Sequence, residues 1–236
     1  MSVGSLMMAQ STVPFVGCAS DGQMGPIAAP ANRGPVAVPI SARDASALAM
    51  YEAVEGFRVL APRGWSCFAS YGSGGAYLFV TPTKVHATDA LSRRWQEFAG
   101  PTVQLRHHFG GTSGRFEVAK IVARVFPAYK PFAVGIMNEV GGEKLVFGPY
   151  PSDRLTYKSK RLLEYVTPPQ SEGVGTWIGM PRNASSIEGA ASVVGEAPDV
   201  MIVGVRLPVQ ARWLAPAIIR LFEQDIARPP VPEPVR

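Results

Sequence analysis

The residues best suited to chemistry lie together, in the run Phe109-Gly110-Gly111-Thr112-Ser113-Gly114-Arg115 and the histidine pair just before it, His107 and His108. Glycines leading into a helix let backbone N–H groups converge, and a helix N-terminus favours negative charge. Gly110, Gly111, Thr112, Ser113, Gly114 and Arg115 are therefore a candidate anion-binding loop, in which Thr112, Ser113 and Arg115 add side-chain donors. The run is not a P-loop, because no Gly-Lys-Ser/Thr follows at the required spacing. The plainer alternative is a loop with an ordinary Ser or Thr N-cap. A hydroxyl near an imidazole is also the pattern of a nucleophile and its base. Ser113 with His107 or His108 is the candidate catalytic pair, with Glu117 or Asp153 as the acid that would orient the ring. Neighbouring strand residues point to opposite faces, so only one of the two histidines can serve. Gly111-Thr112-Ser113-Gly114 is one residue short of a nucleophile elbow. Surface or capping histidines are the plainer reading of the pair.

Two cysteines, Cys18 and Cys67, sit among apolar and aromatic neighbours. With no other cysteine and only three histidines, a zinc site of standard spacing is excluded, and no motif calls for a cofactor. The pair is a disulfide or two buried thiols; a lipid-modified Cys18 is a further alternative, since Phe15-Val16-Gly17-Cys18 loosely matches a lipobox. A bridge would stabilise the fold by roughly 3–4 kcal/mol in the chain-entropy account. Trp65, Tyr71, Tyr77 and Phe79 could make an aromatic platform for sugars or peptides, though packing of a sheet against its helices explains them as well.

The chain that must position these groups has 236 residues, 47% of them hydrophobic and 17% charged, which allows a substantial core. The net charge of +5 comes from 17 Arg and 6 Lys scattered singly, with Arg93-Arg94 the one Arg-Arg pair. Nucleic-acid binders cluster such charges on one face, so no nucleic-acid partner is expected. No apolar run approaches 18 residues, so no transmembrane segment is expected.

Residues 1–12 read as a signal-peptide remnant or a disordered N-terminus, 13–227 as a single α+β domain, and 228–236 as a Pro-rich disordered tail. Within the domain, 13–40 reads as an extended arm with a short strand at Val13–Val16 and a turn at Ser20–Gly22. Ser41 opens a helix whose Ala45, Leu48 and Ala49 share a face. Strands at 57–61, 65–71 and 76–81, punctuated by Gly and Pro, read as a meander. A helix over 88–98 and a strand over 103–107 follow, then a clear amphipathic helix after Arg115 that ends at Pro127, and a helix near 130–140. Strands are expected at 155–158, 161–166, 174–178, 187–194 and 200–207, and Leu214, Ile218, Leu221 and Phe222 mark a last helix. This order predicts a mostly antiparallel sheet with helices on both faces.

Five segments carry a resemblance: Val13–Gln23, Leu60–Cys67, Gly110–Ala119, Phe147–Pro151 and Val205–Pro208. On them the chain, from Val13 to Ala227, resembles an uncharacterised family of secreted or periplasmic bacterial proteins. The resemblance implies export to an extracytoplasmic compartment and a cysteine pair at Cys18 and Cys67; it implies no activity. The strand leading into Ala61-Pro62-Arg63-Gly64-Trp65, with the C-terminal strand–helix pair, looks like PsbP and Mog1-like domains, which are α/β/α sandwiches that mostly act as binding or assembly modules. The expectation is an extracytoplasmic module without catalysis, whose partner is a protein or a small ligand. The alternative is a small hydrolase or transferase using Ser113, a histidine and Arg115 on an anionic substrate. The sequence leaves oligomeric state open.

Overall fold

The computed structural model describes residues 10–84, 100–139, 145–177, 179–195 and 197–227. The helix expected over 88–98, the tail 228–236 and most of the N-terminal segment 1–12 lie outside them.

The apolar run 200–205 is easiest to understand from its two faces. In β13 (Asp199–Arg206), Val200 and Ile202 enter one apolar core while Val203 and Val205 enter another, so a strand covered on both sides loses its polar alternation. It sits near the middle of an eight-stranded sheet. On one side follow β12 (Ile187–Val194), β11 (Leu162–Thr167) and the edge strand β10 (Arg154–Tyr157). On the other follow β9 (Thr102–His108), β8 (Gly75–Thr81), β7 (Ser66–Gly72) and β3 (Ser20–Gly22). All neighbours run antiparallel except β3, which lies parallel to β7. The described chain is thus α+β, with a large and mostly antiparallel sheet.

One core gathers α2 (Arg115–Val125) and α3 (Lys130–Glu139) against Leu163, Tyr165, Ala191, Val200 and Ile202. The helical face Val118, Val122 and Val125 read from the sequence is the buried one. The other core gathers α4 (Ala215–Ala227) against Leu78, Val103, Leu105, Val203 and Val205. The same core takes a three-stranded sheet of β2 (Phe15–Gly17), β5 (Leu48–Glu52) and β6 (Arg58–Pro62). Arg58 ties that sheet to α4 through two hydrogen bonds to Asp225, both 3.1 Å.

Several elements differ from expectation. The helix opened by Ser41, whose hydroxyl accepts the Asp44 N–H, is α1 (Ala42–Ala47) and stops there. Leu48 and Ala49 begin β5 instead, because six residues make too short a helix to stand alone and the apolar run Leu48–Tyr51 pairs along β6. The segment 57–61 is therefore not part of a meander with 65–71; the meander is β7, β8 and β9. The arm 13–40 is built into sheets: β1 (Ser11–Val13) pairs with β4 (Val36–Val38), and Ser20–Gly22 is a strand rather than a turn. Residues 174–177 are turns with one isolated bridge between Trp177 and Met180, not a strand.

The chain leaves the small sheet at Gly17 and joins the large one at Ser20. Cys18 donates its N–H to Glu52 in the first, and its sulfur is bonded to Cys67, just inside β7 of the second. Ser20 faces Ala69 and Gly22 faces Tyr71, so the pairing offset along β3 equals the 49-residue separation of the cysteines. The disulfide continues the strand register two residues upstream.

Candidate functional site

Strand β9 presents Gln104, Arg106 and His108 on one face, with Val103 and Leu105 on the other in the α4 core. The polar face is buried: Arg106 is 5% and His108 3% exposed. It is roofed by residues 173–177 and 179–180. Gln104 donates to the Gly179 carbonyl at 2.5 Å and accepts the Trp177 indole N–H at 2.6 Å; Arg106 donates to the Val174 carbonyl at 3.0 Å. Trp177 stacks on Tyr77 and Phe79, with centroids 5.1 and 5.8 Å apart. From beneath, Asp153 accepts the Val174 N–H and the Thr167 hydroxyl, both at 2.7 Å. Burial raises the Asp153 carboxyl above its ordinary range, against those two hydrogen bonds.

Between this roof and α2 lies a cavity of about 160 Å³. Its floor is Arg106 and His108. Its helix wall is Glu117, Lys120, Ile121 and Arg124, and its outer wall is Tyr150, Thr176 and Trp177. Arg106 lies with its guanidinium 5.1 Å from the Trp177 ring and hydrogen-bonds the Tyr165 hydroxyl; burial lowers its pKa. Arg124 covers the Tyr150 ring at 4.3 Å. Glu117 pairs with Lys120 at 3.2 Å, and no carboxylate among the described residues pairs with Arg106 or Arg124. A second, more open hollow shares Tyr150, Thr176 and Trp177 and continues to Glu172, Pro181 and Arg182.

His108 sits edge-on to Tyr77, with Nδ1 3.5 Å from its hydroxyl, and the buried Nε2 has no hydrogen-bond partner among the described residues. Burial pushes its pKa down to about 3, helped by the positive charges of Arg106 and His107. The imidazole is neutral at pH 7. Below its ordinary value of 6.5 the unfolded chain binds a proton that the folded chain refuses. Stability therefore falls as pH drops from that value towards about 3, by up to about 1.4 kcal/mol per pH unit. Urea titrations near pH 6.5 and near pH 5 should show His108→Phe losing about 1–2 kcal/mol less than wild type over that interval. Parallel losses would mean that His108 titrates normally.

The residues singled out first from the sequence are placed differently. His107 points to the other face, as strand alternation requires. Its Nε2–H donates to Asp199 at 3.1 Å, and its ring meets Phe109 edge-on. Burial lowers the His107 pKa against the pull of Asp199. The acid beside a histidine is thus Asp199, not Glu117 or Asp153, and Asp199 also accepts the Gly110 N–H at 2.7 Å. The Ser113 hydroxyl pairs with that of Ser73 at 2.9 Å, and no hydrogen bond joins it to His107 or His108. Thr112 donates to the Ser73 carbonyl. Arg115 is engaged by Glu139 at 3.2 Å and by the Thr112 carbonyl at 3.1 Å. Gly114 leads into α2 in αR geometry without a side-chain cap, packed close on Gly74 of the β7–β8 hairpin. Gly111 has only the Ala197 side chain near its Cα hydrogens. Within the 110–115 loop, Thr112 and Ser113 hold that hairpin at Ser73, while Gly110 is engaged by Asp199 and Arg115 by Glu139.

Of the four platform aromatics, Tyr77 and Phe79 join Phe68 and Trp177 in a stack, while the Tyr71 hydroxyl donates to the Gly25 carbonyl and the Trp65 backbone N–H donates to the Tyr51 hydroxyl. Arg106, Arg124 and Trp177 were not singled out in the sequence. Arg106 reads as the solvent side of an alternating strand, and Arg124 as the polar side of a helix. The one available signal is a charged residue in the strand next to two histidines. Among the described residues, no group of three or more His, Cys, Asp or Glu side chains is placed to hold a metal ion, and no helix is long and apolar enough to cross a membrane. Comparison with protein-family models, curated proteins and solved structures finds no match to this chain.

Proposed function

We propose that the chain is a non-catalytic binding module of an extracytoplasmic compartment, which takes a small anionic ligand in the cavity beneath residues 173–177. The observation that carries the reading is the pair Arg106 and Arg124, two guanidinium groups lining one cavity without a carboxylate partner among the described residues. Arg106 is buried and Arg124 half-buried; buried charge is costly unless it is paired, so such a site favours an anion brought from outside. Neutral His108 adds a ring nitrogen with no internal partner. A catalytic reading through Ser113 lacks support from any hydrogen bond to a histidine. The disulfide supports an oxidising compartment, where such bonds persist. The two apolar cores, with α2 and α3 on one and α4 on the other, support reading the fold as an α/β/α sandwich of the PsbP and Mog1-like kind.

Amide and indole NMR of the intact chain, titrated with a general library of small acids, bases and neutral fragments, tests the function. The expected result is that acids, above other fragments, shift the Trp177 indole signal, that Arg106→Gln abolishes the shift, and that the acids are recovered chemically unchanged. Conversion of a bound acid, or a library that leaves Trp177 and its neighbours unmoved, would overturn the reading.

A further inference from the structure

We infer that the ligand of this cavity is a compact ring carboxylate, its carboxylate held between Arg106 and Arg124 and its apolar ring against Trp177 and Tyr150; the inference rests on the anion-binding reading above and names its ligand class.

The charge argues for one carboxylate. Lys120 is already opposed by Glu117 at 3.2 Å; Arg106 and Arg124 donate to the Val174 and Gly148 carbonyls, which leaves them as the cations of the lining without a carboxylate partner among the described residues. A guanidinium fork matches a planar carboxylate, with parallel N–H donors meeting two oxygens. Both cations lie beside aromatic rings, Arg106 at 5.1 Å from Trp177 and Arg124 at 4.3 Å from Tyr150. A carboxylate between them would be flanked by π-faces rather than by water.

The walls argue for a ring without hydroxyl groups. Besides the charged residues, the lining offers Ile121, Val174 and the rings of Tyr150 and Trp177; its neutral polar groups are His108, Thr176 and the Tyr150 hydroxyl, the Trp177 indole N–H being taken by Gln104. A sugar acid brings several hydroxyls, and each left unpaired in such a site is costly. By size alone, the space of about 160 Å³ admits a benzene-sized ring. The hollow beyond Tyr150 and Trp177 leaves room for a substituent on the far side of the ring.

Calorimetric titration of the full chain with benzoate, benzyl alcohol, acetate, glucuronate and inorganic phosphate tests this. Benzoate should bind at least about tenfold more tightly than the other four. Arg124→Gln, at the half-buried mouth, should weaken benzoate at least about tenfold while circular dichroism remains that of wild type. Arg106→Gln should abolish binding if it folds; the mouth variant keeps the test decisive if it does not. Benzyl alcohol equal to benzoate would overturn the charge requirement. Acetate, glucuronate or phosphate equal to benzoate would overturn the ring requirement and leave the anion-binding reading standing. No binding by any of the three carboxylates or by phosphate would overturn both.

Discussion

Replacing Cys18 and Cys67 together by alanine should lower the unfolding free energy by about 4 kcal/mol, the chain-entropy value for a closed loop of about 50 residues. The effect is large because of where the bond lies. Strand β3 has three residues, pairs parallel to β7 at the edge of the large sheet, and follows a chain that has just left another sheet. Three residues of edge pairing cannot repay the ordering of such an arm. Without the bond, β3 should fray and expose the edge of β7. Urea denaturation of the double alanine variant, beside wild type with and without reductant, measures the difference. A loss below about 1 kcal/mol, outside the usual range for a native bridge, would show that the arm holds by pairing alone. Free thiols in protein isolated from an oxidising medium would show that the bond does not form.

Gly189→Ala should cost about 3 kcal/mol or more, through overpacking that no rotamer can relieve. Gly189 and Gly204 face each other across β12 and β13, and Tyr165 is the cross-strand neighbour of Gly189. The tyrosine ring occupies the space that two side chains would otherwise fill, and its hydroxyl donates to the Val203 carbonyl at 3.0 Å. A methyl group on Gly189 would meet that same carbonyl and the Tyr165 hydroxyl. One obstacle is backbone of a central strand, so it cannot move aside. Tyr165 is buried, which raises its phenol above the ordinary range and keeps it a donor at neutral pH. Gly135→Ala is the control: its added carbon meets nothing within 4 Å on α3, and it should be neutral or stabilising by up to about 1 kcal/mol. Equal melting temperatures for the two variants would refute the account.

How much of this could be read in advance depended on whether a signal was local. The strand at 187–194 and the helix from Arg115 to Pro127 follow from periodicity and breakers, and both were legible. The end of α1 was not, because Leu48 and Ala49 fit a helical face as well as a strand and the choice was made by β6, beyond the window of any periodicity. The three residues of β3 carry turn chemistry and became a strand only through Tyr71 and its neighbours, some 49 positions on. The 110–115 loop drew attention by composition, yet its Thr112 and Ser113 hydroxyls serve the hairpin at Ser73, a contact no local pattern announces. Arg106 and Arg124 are ordinary in the sequence. They become candidates only when a strand and a helix face one cavity.

The bond at the crossing between sheets also bears on how the polypeptide matures. Cys18 is made well before Cys67, and the chain has no third sulfhydryl to mislead it. Within these 236 residues the native link is the only link available, so its pairing needs no sorting. The hazard is intermolecular: until the later thiol arrives, the early one can be captured only by a different molecule, and crowding of nascent chains would trap covalent dimers instead of scrambled monomers.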